Sequence, residues 1–221
     1  MSLFEGTSAY INVISQTSVW LSTHTHRSVA CRQGGITMRD NLLIIGAGQY
    51  GMIAKEIAEE LGYEKIDFLD GKSDKAIGTP DDVDKFESDV IVAIGNAEVR
   101  GRMLEKIDKS RVVSLISPHA YVSPSAVVST GCVVEPMAVV HTGANVGIGC
   151  FISAGAVVNH DCVLEDCCHI DCNSSVMKAS TVPAGTKVES NMSWTGEVET
   201  GEEVKQIEVH DDNWYAMASG K

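Results

Sequence analysis

Residues 119–190 read HAYVSP SAVVST GCVVEP MAVVHT GANVGI GCFISA GAVVNH DCVLED CCHIDC NSSVMK ASTVPA GTKVES when written in sixes from His119. The fourth residue of each of the twelve hexads is aliphatic: Val122, Val128, Val134, Val140, Val146, Ile152, Val158, Leu164, Ile170, Val176, Val182 and Val188. The second, from Ala120 to Thr186, is always Ala, Cys, Ser or Thr. A six-residue phase kept over 72 residues is not helical, and a plain alternating strand would not preserve it. Alternate side chains of a strand share a face, so positions two and four point inward as a small and a large residue. Positions five, six and one then turn a corner. With three hexads per triangular coil, the segment predicts a left-handed parallel β-helix of about four coils, roughly 19 Å of strands stacked about 4.8 Å apart.

Upstream the pattern changes. Apolar strands at Leu42–Ile45, Lys65–Leu69, Asp89–Ile94 and Arg111–Ile116 alternate with helices expected at Gln49–Leu61 and Ala97–Ile107. Strand and helix in alternation predict a small Rossmann-like parallel sheet over residues 38–117, ahead of the β-helix at 118–190. The first strand runs into Gly46, Gly48 and Gly51, a GxGxxG loop that opens a helix, and Asp70 ends the next strand. Glycines let backbone amides approach a phosphate, whose charge the helix N-terminus favours. A tight turn with no ligand is the alternative. Only about 75 residues lie between Asn41 and the repeats, too few for the two halves of a dinucleotide site, so a smaller nucleotide than NAD is expected. Residues 1–37 are rich in Ser and Thr without periodicity and read as a poorly ordered extension. Met38 is expected to be the biological start, with a genuine N-terminal arm as the alternative. Residues 191–221 read as an acidic tail with interspersed aromatics, either flexible or a strap across a neighbouring subunit.

The 221-residue chain carries 17 basic and 30 acidic residues, a net charge of −13, with no basic cluster. Nucleic acid and anionic membranes are therefore poor partners. No apolar run approaches the roughly 20 residues of a membrane span and no signal-like start is evident, so a cytoplasmic location is expected. Of seven cysteines, Cys132, Cys150, Cys162 and Cys168 occupy the small second position of a hexad and read as packing residues. Cys167, Cys168 and Cys172 look like a thiolate cluster but lack paired zinc-ligand spacing, and no metal is expected.

The stretches LLIIGAGQYGMIAKEIAEELG, FLDG, AIGNAEVR, SLISPHAYVSPSAVV and VVNHDCVLEDCCHID together resemble the bacterial sugar acyltransferase family with hexapeptide repeats. That family includes sialic acid O-acetyltransferases and amino-sugar N-acetyltransferases. The resemblance implies transfer of an acetyl or related acyl group from acetyl-CoA to an amino or hydroxyl group of a sugar or UDP-sugar, in a homotrimer. His160, within Asn159-His160-Asp161, matches the family's catalytic histidine. An attacking amine or hydroxyl must lose a proton, and imidazole suits that task near neutral pH. Asp161 would orient the ring. His169 matches a histidine near the acetyl group, and its third position in a hexad should turn it outward. The Gly46–Gly51 loop, Asp70, Gly95, Asn96, Arg100 and Asn159 fall to substrate binding, with Arg100 offering a charge to a phosphate or else standing as a solvated helix residue. His141, at the fifth position of its hexad, could line the same groove but reads rather as an ordinary surface histidine.

Relatives continue with further coils and a glycine-rich ending that helps frame CoA, whereas the repeats here stop near Ser190. An alternative therefore stands beside the enzyme: a non-catalytic nucleotide-sugar-binding relative that has lost its CoA site.

Overall fold

The computed structural model describes residues 39–196. The expected extension at 1–37 and most of the expected tail lie outside them. Strand β1 (Arg39–Ile45) is central in a parallel three-stranded sheet, between β2 (Tyr63–Leu69) and β3 (Asp89–Val92). Helix α1 (Gln49–Glu60) connects β1 to β2, and a 3-10 helix at Pro80–Lys85 precedes β3. Helix α2 (Ala97–Lys106) follows β3. Leu42 and Ile44 pack on one side of the sheet with Ala54, Ile57 and Ala58 of α1, while Leu43 and Ile45 meet Leu104 and Ile107 on the other.

The remainder is a left-handed parallel β-helix. Each expected hexad forms a two-residue strand at its third and fourth positions, and strands eighteen residues apart pair in register. Three faces result. The first stacks β4 (Leu115–Ile116), β7 (Val133–Val134), β10 (Phe151–Ile152), β13 (His169–Ile170) and β16 (Lys187–Val188). The second stacks β5 (Tyr121–Val122), β8 (Val139–Val140), β11 (Val157–Val158), β14 (Ser175–Val176) and β17 (Ser193–Trp194). The third stacks β6 (Val127–Val128), β9 (Asn145–Val146), β12 (Val163–Leu164) and β15 (Thr181–Val182). The fourth-position residues and the small second-position residues fill one continuous core.

Two boundaries differ from the sequence reading. The strand expected at Arg111–Ile116 divides: Val112 only bridges Val90 of the N-terminal sheet, and Leu115–Ile116 pairs with β7 inside the β-helix. At the other end, Ser193–Trp194 adds a strand beyond Ser190, pairing with Ser175–Val176. Trp194 lies over the core, and its indole N–H donates to the Thr181 carbonyl at 2.9 Å.

The N-terminal domain rests on the first face. Leu115, Val133 and Phe151 of that face share a core with Leu42 and Ile44 of β1. Leu104 of α2 adjoins Gly131 and Gly149 at the corner leading into that face. The domain therefore covers one face and leaves the corner between the second and third faces open.

Candidate active site

The uncovered corner is where Asn159-His160-Asp161 lies. Its backbone follows from the hexad. At each first position from Gly131 to Asn191 the chain takes a positive φ, and Asp161 does so at 59°. The left-handed turn brings two adjacent side chains together across the corner. His160 Nδ1 and Asp161 Oδ2 lie 2.8 Å apart, and Asn159 Oδ1 accepts the His160 backbone N–H at 2.8 Å. A carboxylate only accepts, so the imidazole proton sits on Nδ1 and Nε2 carries a free lone pair. Asp161 is anchored in turn by its own backbone N–H, which donates to the Thr142 carbonyl at 3.0 Å. The His160 side chain is 44 % exposed, so its lone pair is open to a reactant. On the coil beneath, the His141 ring lies edge-on to His160 with centroids 6.3 Å apart.

On the third face, toward its other corner, a groove of about 370 Å³ is lined by Asn145, Gly147, Val163, Leu164, Glu165, Asp166 and Ala184. The carboxylates there are already engaged. Glu165 accepts the Ala184 N–H at 2.9 Å, and Asp166 accepts the Ile148 N–H at 2.7 Å.

The glycine loop has the strand-to-helix geometry expected of it. Gly46 sits at φ +105°, where a Cβ would come 2.8 Å from the Ala93 carbonyl oxygen. A Cβ on Gly51 would press into the Gly46 carbonyl, so only glycine lets α1 start so close to the loop. Gly48 has open space around it and faces the approach to the loop. Asp70 braces the loop: its Oδ2 accepts the Ala47 N–H at 2.9 Å and its Oδ1 the Lys72 N–H at 2.8 Å. Those two amides, Ala47 foremost, hold its carboxyl below the usual carboxylate range. Asn96 caps α2, its Oδ1 accepting the Val99 N–H at 2.9 Å.

The profile of the PglD N-terminal domain family matches residues 41–107. The whole fold is similar to the acetyltransferase domain of PglB from Neisseria gonorrhoeae, at 28 % identity and a TM-score of 0.64 over 73 % of this chain and 94 % of that domain. The same domain in complex with acetyl coenzyme A aligns at 29 % identity with a TM-score of 0.56, over 69 % of this chain and 86 % of that one. A mutant of perosamine N-acetyltransferase from Caulobacter crescentus, in complex with CoA and GDP-perosamine, shares the fold at 22 % identity and a TM-score of 0.59, covering 71 % of this chain and 89 % of that one. Residues 41–107 thus match the PglD N-terminal domain family, and the chain resembles the hexapeptide-repeat sugar acyltransferases.

Two predicted residues sit differently from expectation. Arg100 is neither a phosphate contact nor solvated. It is completely buried, and its guanidinium lies 4.1 Å over the Phe151 ring. Its Nε donates to the Gly149 carbonyl at 2.8 Å and Nη2 to that of Cys167 at 2.7 Å, both in the β-helix. Nη1 donates to the carbonyls of Ile94 (2.6 Å) and Gly95 (3.1 Å) in the N-terminal domain. With its donors committed to four carbonyls it pins one domain to the other. Burial lowers its pKa, the carbonyl set being what makes the buried cation tolerable.

His169 does turn out of the coil, as its hexad position requires, but it is covered rather than open. Only 3 % of it is exposed, beneath Tyr50 and beside Phe151, with ring centroids 5.5 and 5.9 Å away. Its Nε2 shares a hydrogen bond with the Ser153 hydroxyl at 3.1 Å. Burial above all, helped by Lys187 and Arg100, depresses its pKa to about 4, so the ring is neutral. His169 and His160 are nine residues apart, one and a half hexads, which puts one on the first face and the other at the opposite corner.

Sequence reasoning passed over Tyr50, the GxGxxG-loop residue that touches both Phe151 and His169, and it set His141 aside. The eighteen-residue stacking period puts His141 directly under Asn159. The three clustered cysteines face different ways. Cys168 is in the coil interior, Cys167 is buried beneath α2, and Cys172 is exposed.

Proposed function

We propose that this chain transfers an acetyl group from acetyl-CoA to an amino or hydroxyl group of a nucleotide-linked sugar, with His160 as general base. The observation that carries the reading is the His160–Asp161 pair at an open corner, Nδ1–H held by a carboxylate and Nε2 left free. The acceptor N–H or O–H gives its proton to Nε2 as its lone pair bonds to the thioester carbon. The tetrahedral intermediate collapses, the C–S bond breaks, and the protonated imidazole returns the proton to the CoA thiolate. Asp161 stabilises the imidazolium between these steps. The groove on the adjoining third face, with Val163 exposed along it, would take the donor's arm. The glycine loop, braced by Asp70, would take the nucleotide's phosphates.

One chain does not hold the whole site. The glycine loop belongs to the domain over the first face, whereas His160 stands at the corner farthest from it. The reading therefore includes a homotrimer in which the loop of one subunit faces His160 of the next. No helix among the described residues is long and apolar enough to cross a membrane.

The test is CoA-thiol release with acetyl-CoA and a panel of UDP- and GDP-linked amino sugars. His160→Ala is expected to lower kcat by about 100-fold or more while KM for acetyl-CoA changes little. Wild-type turnover in that variant would remove His160 as the base.

A further inference from the structure

His141 is exposed, yet its ring is not free. The Thr142 backbone N–H donates to its Nδ1 at 2.9 Å, which makes Nδ1 an acceptor and leaves the proton of the neutral ring on Nε2. His160 has the opposite tautomer, because Asp161 holds its Nδ1–H. Two imidazoles on successive coils, with centroids 6.3 Å apart and planes inclined at 67°, thus present complementary outer nitrogens, one a lone pair and the other an N–H donor. A reacting thioester needs both. The lone pair takes the acceptor's proton, while negative charge grows on the neighbouring carbonyl oxygen and needs a donor.

We propose that His141 is a second catalytic residue, donating a hydrogen bond from Nε2–H to the acyl carbonyl oxygen as His160 removes the acceptor's proton. The assignment deepens the acyl-transfer reading above and rests on it. As the acceptor's lone pair bonds to the carbonyl carbon, the C=O π electrons move onto oxygen and His141 N–H stabilises them without giving up its proton. The intermediate then expels CoA thiolate, which takes its proton from His160. The Thr142 amide fixes the His141 tautomer before reaction begins, so little reorganisation is needed when charge develops.

The test compares His141→Phe, which keeps a ring but no donor, with His141→Gln, which keeps an N–H, in the full chain. The assay is CoA release from acetyl-CoA, using whichever UDP- or GDP-linked amino sugar wild type turns over fastest. His141→Phe should lower kcat by about 100-fold, the size expected for loss of one oxyanion donor, with KM for acetyl-CoA within about twofold of wild type. His141→Gln should recover about tenfold of that loss. Both should melt like wild type, because the side chain is exposed. A kcat for His141→Phe within about threefold of wild type, a loss confined to KM, or a Gln variant as slow as the Phe variant overturns the role of His141 while leaving acyl transfer intact. Wild type inactive with every acceptor overturns the acyl-transfer reading and His141's role with it.

Discussion

Arg100 shows how far one residue's meaning depends on its surroundings. Removing its side chain would strand the carbonyls of Ile94, Gly95, Gly149 and Cys167, all of which it serves. A buried unsatisfied acceptor costs about 1–3 kcal/mol, so Arg100→Ala is expected to destabilise the fold by on the order of 5 kcal/mol. Arg100→Lys should rescue only part of that, since one ammonium cannot match a planar fork. Urea unfolding checks this, and a midpoint for Arg100→Ala equal to wild type would contradict the pin. His169 contributes in a different way, through pH. Its folded pKa of about 4 lies below the 6.5 of an ordinary histidine. The unfolded chain therefore binds the proton first, and stability fully present above pH 6.5 is lost as pH falls toward 4. The loss should be on the order of 3 kcal/mol and nearly absent in His169→Gln, measured as urea stability across that window. Parallel pH curves for the two proteins would exclude it. Neither residue's state was legible in the sequence. Arg100 stands at a helical position that looks solvated, and His169 at an outward strand position. What buries them is the second domain settling on the first face, a contact between segments 49 and 67 residues apart in the hydrogen bonds of Arg100.

Among the elements, legibility follows the strength of the repeat. The hexads from His119 to Ser190 were plain because a strand of two inward residues with a fixed corner admits few side chains: small at two, aliphatic at four. Two strands escaped, one that keeps the rule and one that breaks it. VSLISP, residues 113–118, keeps Ile116 at position four, but it follows directly on Val112, and the apolar run read as a strand of the earlier sheet. NMSWTG, residues 191–196, puts Trp194 at position four, too large for the interior of a coil yet suited to its end, where the indole covers the stack and bonds to Thr181. The corners explain why the His160–Asp161 pairing was only partly legible. A left-handed φ recurs at first positions regardless of residue, at Met137, Cys167 and Ala179 as well as at glycines. Such a conformation costs a non-glycine residue roughly 1–2 kcal/mol, which the stacked strands on either side enforce. That same φ lets neighbouring His160 and Asp161 meet, something an ordinary strand, with alternating directions, would prevent. The GxGxxG loop was legible for the opposite reason. There glycine is demanded by backbone contact, so residue type and geometry coincide.

At the scale of the whole molecule, the parts of the proposed site are divided by the prism they stand on. The N-terminal domain with its glycine loop covers the first face, and His160 occupies the corner opposite. If the working site forms between subunits, two inactive variants should complement each other. Gly48→Trp is the right partner for His160→Ala, because a Cβ at Gly48 meets nothing within 4 Å and the indole would block the approach to the loop without disturbing the fold. In co-expressed homotrimers each interface is productive only when the subunit giving the loop is the His160→Ala chain and the one giving the histidine is the Gly48→Trp chain. With random assembly from equal amounts the chance is one half times one half, so about one quarter of wild-type activity should return, from proteins that are each inactive alone. A site contained in a single chain predicts no recovery, since every chain in the mixture then carries one broken half. Light scattering on the same preparation ties the result to assembly: recovered activity should reside in the trimer fraction and disappear on dilution to monomers.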